Sequence, residues 1–455
     1  MFVSFATRAG CALALLCSPV LSSASYSQTI TLKAALQRAL AGNPRLTAAA
    51  REMGVASGLR FQASALPNPD VSFELDNAFG SKNSQTSPSG NAQGGQGNAQ
   101  SGDAGAQSSD SKPKDYRGLR SAETTLQLSQ LIELGGKRSA RVAVGIAGEN
   151  VAYWQYRAAE LELLSETAAS FIAIVAAQRR IEIYDEQIAV LDPLLPLLEK
   201  RVREGASSPA ETLRAKAAAE MYRVERTRAH TQLDVARREL ATLMGHNTPN
   251  FTRAQGRLGG RGRPPSFQKI VAAIEANPQL TRWTALIAQR DAELTSARAK
   301  AIPDVRVWAG WRHYNETKDN AVRLGLSVPL PIFDRNEGNI AAAQSNASKS
   351  IAEWSTAKLT LIGVASRTYA TITGAQSEIR QLRQTVIPAA RGAAETILDG
   401  YRQGRFTLLE LLDSRSMLIQ ALLKEQEAQQ NFHSAIATLE GLIGNPFALA
   451  QEIAQ

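Results

Sequence analysis

Residues 305–312 read Val-Arg-Val-Trp-Ala-Gly-Trp-Arg, and residues 322–328 read Val-Arg-Leu-Gly-Leu-Ser-Val. In each stretch every second residue is apolar, and the intervening set contains arginine. This is the period of a β-strand whose two faces meet different surroundings. Weaker stretches of the same kind occur at residues 71–76 and 126–129. The pattern fits a membrane strand with lipid on one side, or a half-buried strand of a soluble sheet, and both interpretations stay open.

Four strands are too few for a closed membrane barrel, because such barrels have about eight strands or more. An open sheet edge is not tolerated in lipid, where water cannot satisfy its N–H and C=O groups. If these strands cross a membrane, several copies of the chain must therefore share one barrel.

The strands belong to an internal repeat. Asn43-Pro-Arg-Leu46 recurs 234 residues later as Asn277-Pro-Gln-Leu280, and Pro69-Asp-Val71 recurs at the same distance. Leu128-Ser129 recurs only 198 residues later. The shorter distance places about 36 extra residues in the first half. Residues 80–112, almost entirely Gly, Ser, Gln, Asn, Ala and Asp, supply them and predict a solvated loop between the first two strands.

We therefore expect two repeats of one unit, at residues 25–255 and 256–455. Each has a short helix, a second helix of about 20 residues after Asn-Pro, two strands, and a long helical stretch that breaks at a glycine. The strands are expected near residues 69–77, 120–131, 303–314 and 321–331, and the helical tips near residues 203–213 and 402–413.

The long helical stretches need partners. Residues 138–202 would extend for roughly 100 Å as one helix, with local kinks at Pro193, Pro196 and, in the second half, Pro388. Helices of this length pack side by side as coiled coils. A soluble bundle of shorter helices is the alternative.

Residues 1–24 predict a secretory signal peptide. They combine one charge, at Arg8, with an apolar stretch and a small-residue site for cleavage after Ala24. Lipidation of Cys17 is the alternative, although Leu16 occupies a position where such signals need a small residue. The chain has only two cysteines, Cys11 and Cys17, and both would leave with the signal.

Composition argues against several function classes. The net charge is +9, yet no basic stripe with interleaved aromatic residues indicates a nucleic-acid surface. The four histidines (His230, His246, His313 and His433) lack the spacing of metal ligands. No nucleophile–base pair indicates catalysis. We therefore expect no enzyme activity, no cofactor, no bound metal and no nucleic-acid partner.

Two junctions carry a family resemblance. The run at 128–138, Leu-Ser-Gln-Leu-Ile-Glu-Leu-Gly-Gly-Lys-Arg, resembles the strand-to-helix junction of the CzcC-like branch of the TolC family of outer-membrane efflux channels. The run at 326–338, Leu-Ser-Val-Pro-Leu-Pro-Ile-Phe-Asp-Arg-Asn-Glu-Gly, has the Pro-x-Pro-Ile-Phe-x-Arg form found across that family. The resemblance extends from Ile30 to about Gly444.

The resemblance implies a mainly α-helical fold with a small β part. Each chain of a homotrimer would give four strands to a twelve-strand barrel in outer-membrane lipid, continued by a long periplasmic α-helical barrel. The trimer would be the exit duct of a tripartite RND-type system, with a periplasmic adaptor (membrane fusion) protein and an inner-membrane RND pump. The CzcC-like branch exports heavy-metal cations such as cobalt, zinc, cadmium or nickel.

Two other functions stay open. One is the outer-membrane duct of a drug exporter or a type I protein exporter in the same family. The other is a periplasmic adaptor, which also has long helical hairpins. Adaptors have a single hairpin between lipoyl-like β-domains, whereas this chain repeats its helices and strands.

The resemblance also implies a periplasmic gate at the tips. Glu410 and Asp413 share one helix face and match acidic ring positions, so three copies would surround a narrow pore. Tyr401 matches a tyrosine that tethers the closed tip, and Glu211 matches its acidic partner on the first tip. Phe406 stands where the family often has a tethering arginine. The residues expected to dock the adaptor are Arg203, Gly205, Arg402, Gly404 and Arg405.

Overall fold

The computed structural model describes residues 29–78, 119, 122–259 and 265–444. The expected signal peptide and the low-complexity segment 80–112 lie outside the described residues. The elements in chain order are β1 (Thr29–Thr31), α1 (Leu32–Gly42), α2 (Pro44–Ser64), β2 (Asp70–Asp76), β3 (Glu123–Ile132), α3 (Lys137–Leu191), α4 (Leu194–Arg203), α5 (Pro209–Leu243), β4 (Arg253–Gln255), α6 (Phe267–Ile274), α7 (Pro278–Lys300), β5 (Val305–Tyr314), β6 (Asp319–Ser327), α8 (Glu337–Gln381), a π-helix (Leu382–Val386), α9 (Ile387–Arg402) and α10 (Leu408–Ile443).

Four strands form one antiparallel sheet in the order β2-β3-β5-β6. β6 ends at Ser327, four residues before the expected end, because Pro329 and Pro331 lack the N–H groups that a ladder needs. β1 and β4 form a separate parallel pair.

The apolar face of this sheet is exposed, unlike the apolar face of a soluble sheet. Val322, Leu324 and Leu326 on β6 are 78%, 75% and 71% exposed, and they lie in register with apolar residues of the other strands. On the opposite face Thr125 is only 2% exposed. The other exposed apolar residues of the first face are Val71, Phe73, Leu75, Leu126, Leu128, Val307 and Trp311. A half-buried soluble sheet covers its apolar face, whereas this face is exposed in the described part of the chain.

Ion pairs hold the polar face together. The Arg306 guanidinium lies 2.9 Å from the Asp70 carboxylate. Arg312 lies 3.0 Å from Glu123 and donates from Nε to the Thr125 hydroxyl at 2.9 Å. A polar surface of this kind suits contact with water rather than with a hydrocarbon core.

Helices continue the strands in the same order. α2 packs on α3, α3 on α7, and α7 on α8, while α5 and α10 pack behind them. In each half the first strand follows a helix, as β2 follows α2 and β5 follows α7. The second strand precedes a helix, as β3 precedes α3 and β6 precedes α8. The described residues therefore form a wall of four columns, α2/β2, β3/α3, α7/β5 and β6/α8, and within this part of the chain the outer edges of the first and last columns are unpaired.

The long helices follow the expected course, and the predicted kink at Pro193 is a full break between two helices. α3 has 55 residues, about 80 Å. Beside the predicted breaks at Gly205 and Gly404, the structure breaks the first stretch at Asp192-Pro193, because proline cannot donate to the preceding turn. A π-helix precedes Pro388 in the second stretch. Among the described residues, no helix is long and apolar enough to cross a membrane.

The Asn-Pro motif joins two helix ends. The Asn43 side-chain oxygen accepts from Arg45 N at 2.8 Å, which caps α2, and its amide donates to the Leu243 carbonyl at the end of α5. Asn277 does the same for α7, with its amide 2.7 Å from the Leu442 carbonyl of α10. Asparagine has both an acceptor and donors, so one buried side chain satisfies orphan groups at both ends.

We expect Asn43→Ala or Asn277→Ala to lower the free energy of unfolding by about 1–3 kcal/mol, because each removes a cap and leaves a buried carbonyl unpaired. Thr31→Ala is the control, since the Thr31 hydroxyl makes a single exposed cap bond to Ala34 N. Urea denaturation followed by circular dichroism measures both. Equal losses for the control and the asparagine variants would contradict the double-cap role.

Candidate functional site at the helical tips

Both helical tips end in the same backbone motif. At the first tip Gly205 N donates to the Val202 carbonyl and Ala206 N to the Arg201 carbonyl. At the second, Gly404 N donates to the Tyr401 carbonyl and Arg405 N to the Gly400 carbonyl. These bonds define a Schellman motif, which needs a left-handed residue after the helix. Gly205 and Gly404 supply it, with φ of +72° and +77°.

A shared apolar cluster holds the two tips side by side. It contains Leu198 and Ala215 from the first tip and Tyr401, Leu408 and Leu411 from the second. The structure therefore brings the predicted gate residues of both halves into one region, although about 200 residues separate them in the chain.

Tyr401 lies in this cluster rather than on the surface. Its ring is 3% exposed, and the Arg201 guanidinium lies 5.8 Å from the ring centroid. Its hydroxyl is buried without a hydrogen-bond partner among the described residues. Burial raises the pKa of Tyr401 above its ordinary value. The Tyr401 ring therefore packs against the first tip, with the Arg201 guanidinium beside it.

Glu410 has a local structural role. Its carboxylate accepts from Thr407 N at 2.7 Å and from the Thr407 hydroxyl at 2.8 Å, while the hydroxyl accepts from Glu410 N. This capping box begins α10. The bond from the Thr407 backbone, followed by that from its hydroxyl, lowers the pKa of Glu410 below its ordinary value. The capping bonds therefore favour folding at neutral pH and are lost only when the pH falls through that lowered pKa.

Asp413 and Glu211 differ in their surroundings. Asp413 is exposed on the same face as Glu410, and no hydrogen bond or ion pair engages it within the described part of the chain. Glu211 is half-buried in the first turn of α5 and accepts a bond from the Ser207 hydroxyl. Asp413 is consequently the tip carboxylate whose charge is least committed to local structure.

Phe406 covers Gly400 at the second tip. A Cβ on Gly400 would lie 2.3 Å from Phe406 Cδ2, so the ring occupies the space of the missing side chain. The residue that departs from the expected arginine thus packs against the helix end.

Comparison with known families gives the assignment. The family model described as outer membrane efflux protein matches residues 35–246 and 270–445. The chain belongs to this family. The expected resemblance to the CzcC-like branch is confirmed by a relative, the cobalt-zinc-cadmium resistance protein CzcC of Cupriavidus metallidurans, which is 26% identical over 91% of this chain and 90% of its own length.

A second relative and a solved structure agree with the assignment. The nickel-cobalt-cadmium resistance protein NccC of Alcaligenes xylosoxydans is 25% identical, and the match spans 53% of this chain and 55% of that protein. A crystal structure of CusC, described as a transmembrane channel, superposes with a TM-score of 0.71 at 16% identity over 90% of this chain and 91% of that one. At this identity the superposition shows the fold alone.

Sequence reasoning missed one residue of this efflux-family tip. Arg415, on α10 two residues after Asp413, is 7% exposed, and its Nε is buried without a hydrogen-bond partner among the described residues. Burial lowers the pKa of Arg415 below its ordinary value, and the nearby Glu395 carboxylate opposes that shift. Its two-residue spacing from Asp413 puts it on another side of the helix, but nothing local in the sequence shows that this side is buried.

The residues expected to dock the adaptor lie on the exposed surface of the two tips. Arg203, Arg402 and Arg405 are exposed, and Arg402 lies 3.5 Å from Asp399 in a surface ion pair. Exposed pairs of this kind add little to stability. These cations are therefore free to meet a partner surface.

We expect Gly400→Ala to displace Phe406 and loosen the second tip, because two atoms cannot share the space that the ring fills. Gly392→Ala in the same helix is the matched control, since a Cβ there meets no atom within 4 Å and alanine favours a helix. Limited proteolysis at the tip should be faster in Gly400→Ala and unchanged or slower in Gly392→Ala. The same rate in both variants would remove the proposed role of the Phe406 contact.

Proposed function

We propose that the chain forms the outer-membrane exit duct of a tripartite efflux system for heavy-metal cations. One observation carries the proposal: a sheet with one exposed apolar face and one face of charged and polar residues is joined to long helices, of which α3 extends for about 80 Å. Such a sheet suits lipid outside and water inside. The long helices then suit a periplasmic duct.

The assembly follows from the free edges. In the described residues β2 and β6 each have an unpaired edge, which calls for further copies in lipid; three copies, as the family resemblance implies, make a twelve-strand barrel. The halves 25–255 and 256–455 act as two repeats of one unit. Their matching Asn-Pro caps and matching tip motifs support this division.

The gate and the docking surface lie at the periplasmic tips. Asp413 and Glu410 of three copies form acidic rings, while Tyr401 and Glu211 belong to the contact between the two tips of one chain. Carboxylate rings favour cations. Arg203, Gly205, Arg402, Gly404 and Arg405 face the periplasmic adaptor, which links the duct to an inner-membrane RND pump.

The substrate class rests on the relatives. CzcC and NccC carry cobalt, zinc, cadmium and nickel resistance in their names, and the chain matches CzcC over nearly its whole length. We propose that this protein exports the same class of cations. The alternative functions to be tested are the duct of a drug exporter or a type I protein exporter, and a periplasmic adaptor.

Deletion of the gene tests this proposal. The deleted strain should lose resistance to cobalt, zinc, cadmium or nickel, keep its resistance to lipophilic drugs, and recover when the chain is supplied in trans. Loss of drug resistance alone would favour a drug exporter. Fractionation of the chain to the inner membrane or the soluble periplasm would favour an adaptor instead.

A further inference from the structure

We infer that a cleft beside the β1–β4 pair binds an extended acidic peptide segment of another periplasmic protein. The cleft has a volume of about 1340 Å³, and its lining residues come from β1, α1, α3, β4, the π-helix and α10. This volume exceeds the roughly 300–1,000 Å³ of small-ligand pockets and suits several residues of a peptide chain.

The cleft lies far from both the sheet and the tips. It includes Gln178 of α3, and α3 begins at Lys137 beside the sheet, so the cleft lies roughly 60 Å along the helix from the sheet. The tip at Gly205 lies roughly 40 Å further along α3 and α4. The helices of this outer-membrane efflux protein lie in the periplasm. The cleft is therefore a surface for periplasmic segments, separate from the tips that are expected to dock the adaptor.

Three cations of the cleft are held by its own carboxylates. Arg179 and Arg253 share Glu182, at 3.2 Å and 3.0 Å. On the other side of the cleft, Arg383 Nε lies 2.5 Å from the Glu425 carboxylate. These pairs hold the arginine side chains in place before any ligand arrives, which reduces the entropy that binding must remove.

Two further cations of the cleft are uncommitted. Lys33 on α1 and Arg257 just after β4 are exposed, and neither makes a hydrogen bond or an ion pair within the described stretches of the chain. Carboxylates form the strongest hydrogen bonds with such groups. Charge complementarity therefore selects a partner segment that carries acidic side chains.

Side-chain amides in the cleft match the main chain of a peptide. The Gln178 oxygen accepts from Ala254 N at 2.8 Å, and its amide donates to the Ala254 carbonyl at 3.0 Å, so this side chain already binds one peptide unit of β4. An amide has both donors and an acceptor, as a peptide group has. A phosphate chain offers acceptors alone and would leave the amide oxygens unmatched. The other glutamines that line the cleft are Gln37, Gln255, Gln426 and Gln429.

The second half of the chain differs at the corresponding place. The Asn-Pro motifs are 234 residues apart, so Lys33 of α1 corresponds to Phe267 of α6. The Phe267 ring lies 5.7 Å from the Tyr369 ring of α8 and packs on an apolar cluster of α6, α8 and α10. The repeated architecture thus covers this helix face with an aromatic residue in one half and presents a free cation in the other. The cleft is consequently a feature of the first half alone rather than a product of the repeat.

Fluorescence anisotropy tests the inference on the full chain purified in detergent. The probe is a fluorescein-labelled peptide that alternates glutamate and threonine, and the control peptide has glutamine in place of glutamate. We expect saturable binding of the glutamate peptide alone, and weaker binding at high salt because exposed charges are screened. Equal binding of the two peptides would overturn recognition by charge.

Charge reversal locates the binding. Lys33→Glu combined with Arg257→Glu should raise the Kd of the glutamate peptide at least about tenfold, and the double variant should instead bind a peptide that alternates lysine and threonine. Lys269→Glu combined with Arg238→Glu is the matched control, because it changes the net charge equally at exposed residues outside the cleft. Its Kd should change by less than about twofold. A similar loss in both double variants would show attraction to the net charge alone and would overturn the site.

Occupation of the cleft within the assembly itself would also overturn the inference. Gln255→Cys places a thiol at an exposed position of the cleft, and the mature chain is expected to have no other cysteine. We expect a maleimide to label the assembled protein as fully as the denatured protein, and the glutamate peptide to prevent this labelling. Protection without the peptide would mean that a second copy or another segment of this chain fills the cleft. The proposed duct would stand in that case, since metal resistance of the deleted strain tests it separately.

Discussion

Replacing Leu324 with arginine is expected to abolish assembly of the protein in the outer membrane. Leu324 lies in the middle of β6 and is 75% exposed on the apolar face of the sheet. An arginine at the middle of a lipid-facing strand costs about 2–4 kcal/mol, and three copies add three such costs. Heat-resistant trimer in outer-membrane fractions, measured by immunoblot, should fall below detection.

The neighbouring residue supplies the control. Arg323 lies on the polar face, where its guanidinium is 5.6 Å from the Trp308 ring centroid. Arg323→Leu should leave the amount of trimer nearly unchanged, because a leucine is tolerated in a wide aqueous interior. If Leu324→Arg assembles as well as Arg323→Leu, the apolar face does not contact lipid.

Asp413→Asn is expected to remove most of the block of the closed channel by multivalent cations. Three copies of this exposed carboxylate would surround a narrow pore, where Coulomb attraction to a cation is several-fold stronger than in bulk water. The asparagine keeps the shape and removes the charge. In planar bilayers the concentration of hexamminecobalt(III) for half-block should rise at least about tenfold, which corresponds to about 1.4 kcal/mol of binding free energy.

Glu410→Gln is the matched variant for the gate. Its carboxylate already accepts two bonds from Thr407, so it has less freedom to meet an ion in the pore. We expect a smaller rise in the half-block concentration and a small loss of stability from the weaker cap. A larger effect of Glu410→Gln than of Asp413→Asn would place the ion-binding ring one helical turn earlier.

The strands could be predicted from sequence, but their orientation could not. Period-two alternation located β5 and β6 to within a few residues, because it follows directly from strand geometry. The same alternation is produced by a soluble sheet, so it does not state which face is covered. The exposure of Leu324 and its apolar neighbours on β6 depends on the folded sheet and could not be read from the alternation.

The tips show a similar division. Gly205 and Gly404 predicted the helix ends correctly, because the left-handed backbone that follows a helix strongly favours glycine. The buried state of Tyr401, the capping bond of Glu410 and the burial of Arg415 depend on contacts between α4, α5, α9 and α10. Such contacts are set by tertiary packing and leave no local signal in the chain.

Site-directed labelling tests the orientation of the sheet most directly. Single variants Arg323→Cys and Leu324→Cys are made in intact outer membranes and treated with a membrane-impermeant maleimide, with a denatured sample as the measure of complete labelling. The account predicts that Arg323→Cys reacts from the aqueous interior and that Leu324→Cys is protected until the membrane is dissolved. Protection of Arg323→Cys together with free reaction of Leu324→Cys would contradict a wall with water on its polar side and lipid on its apolar side.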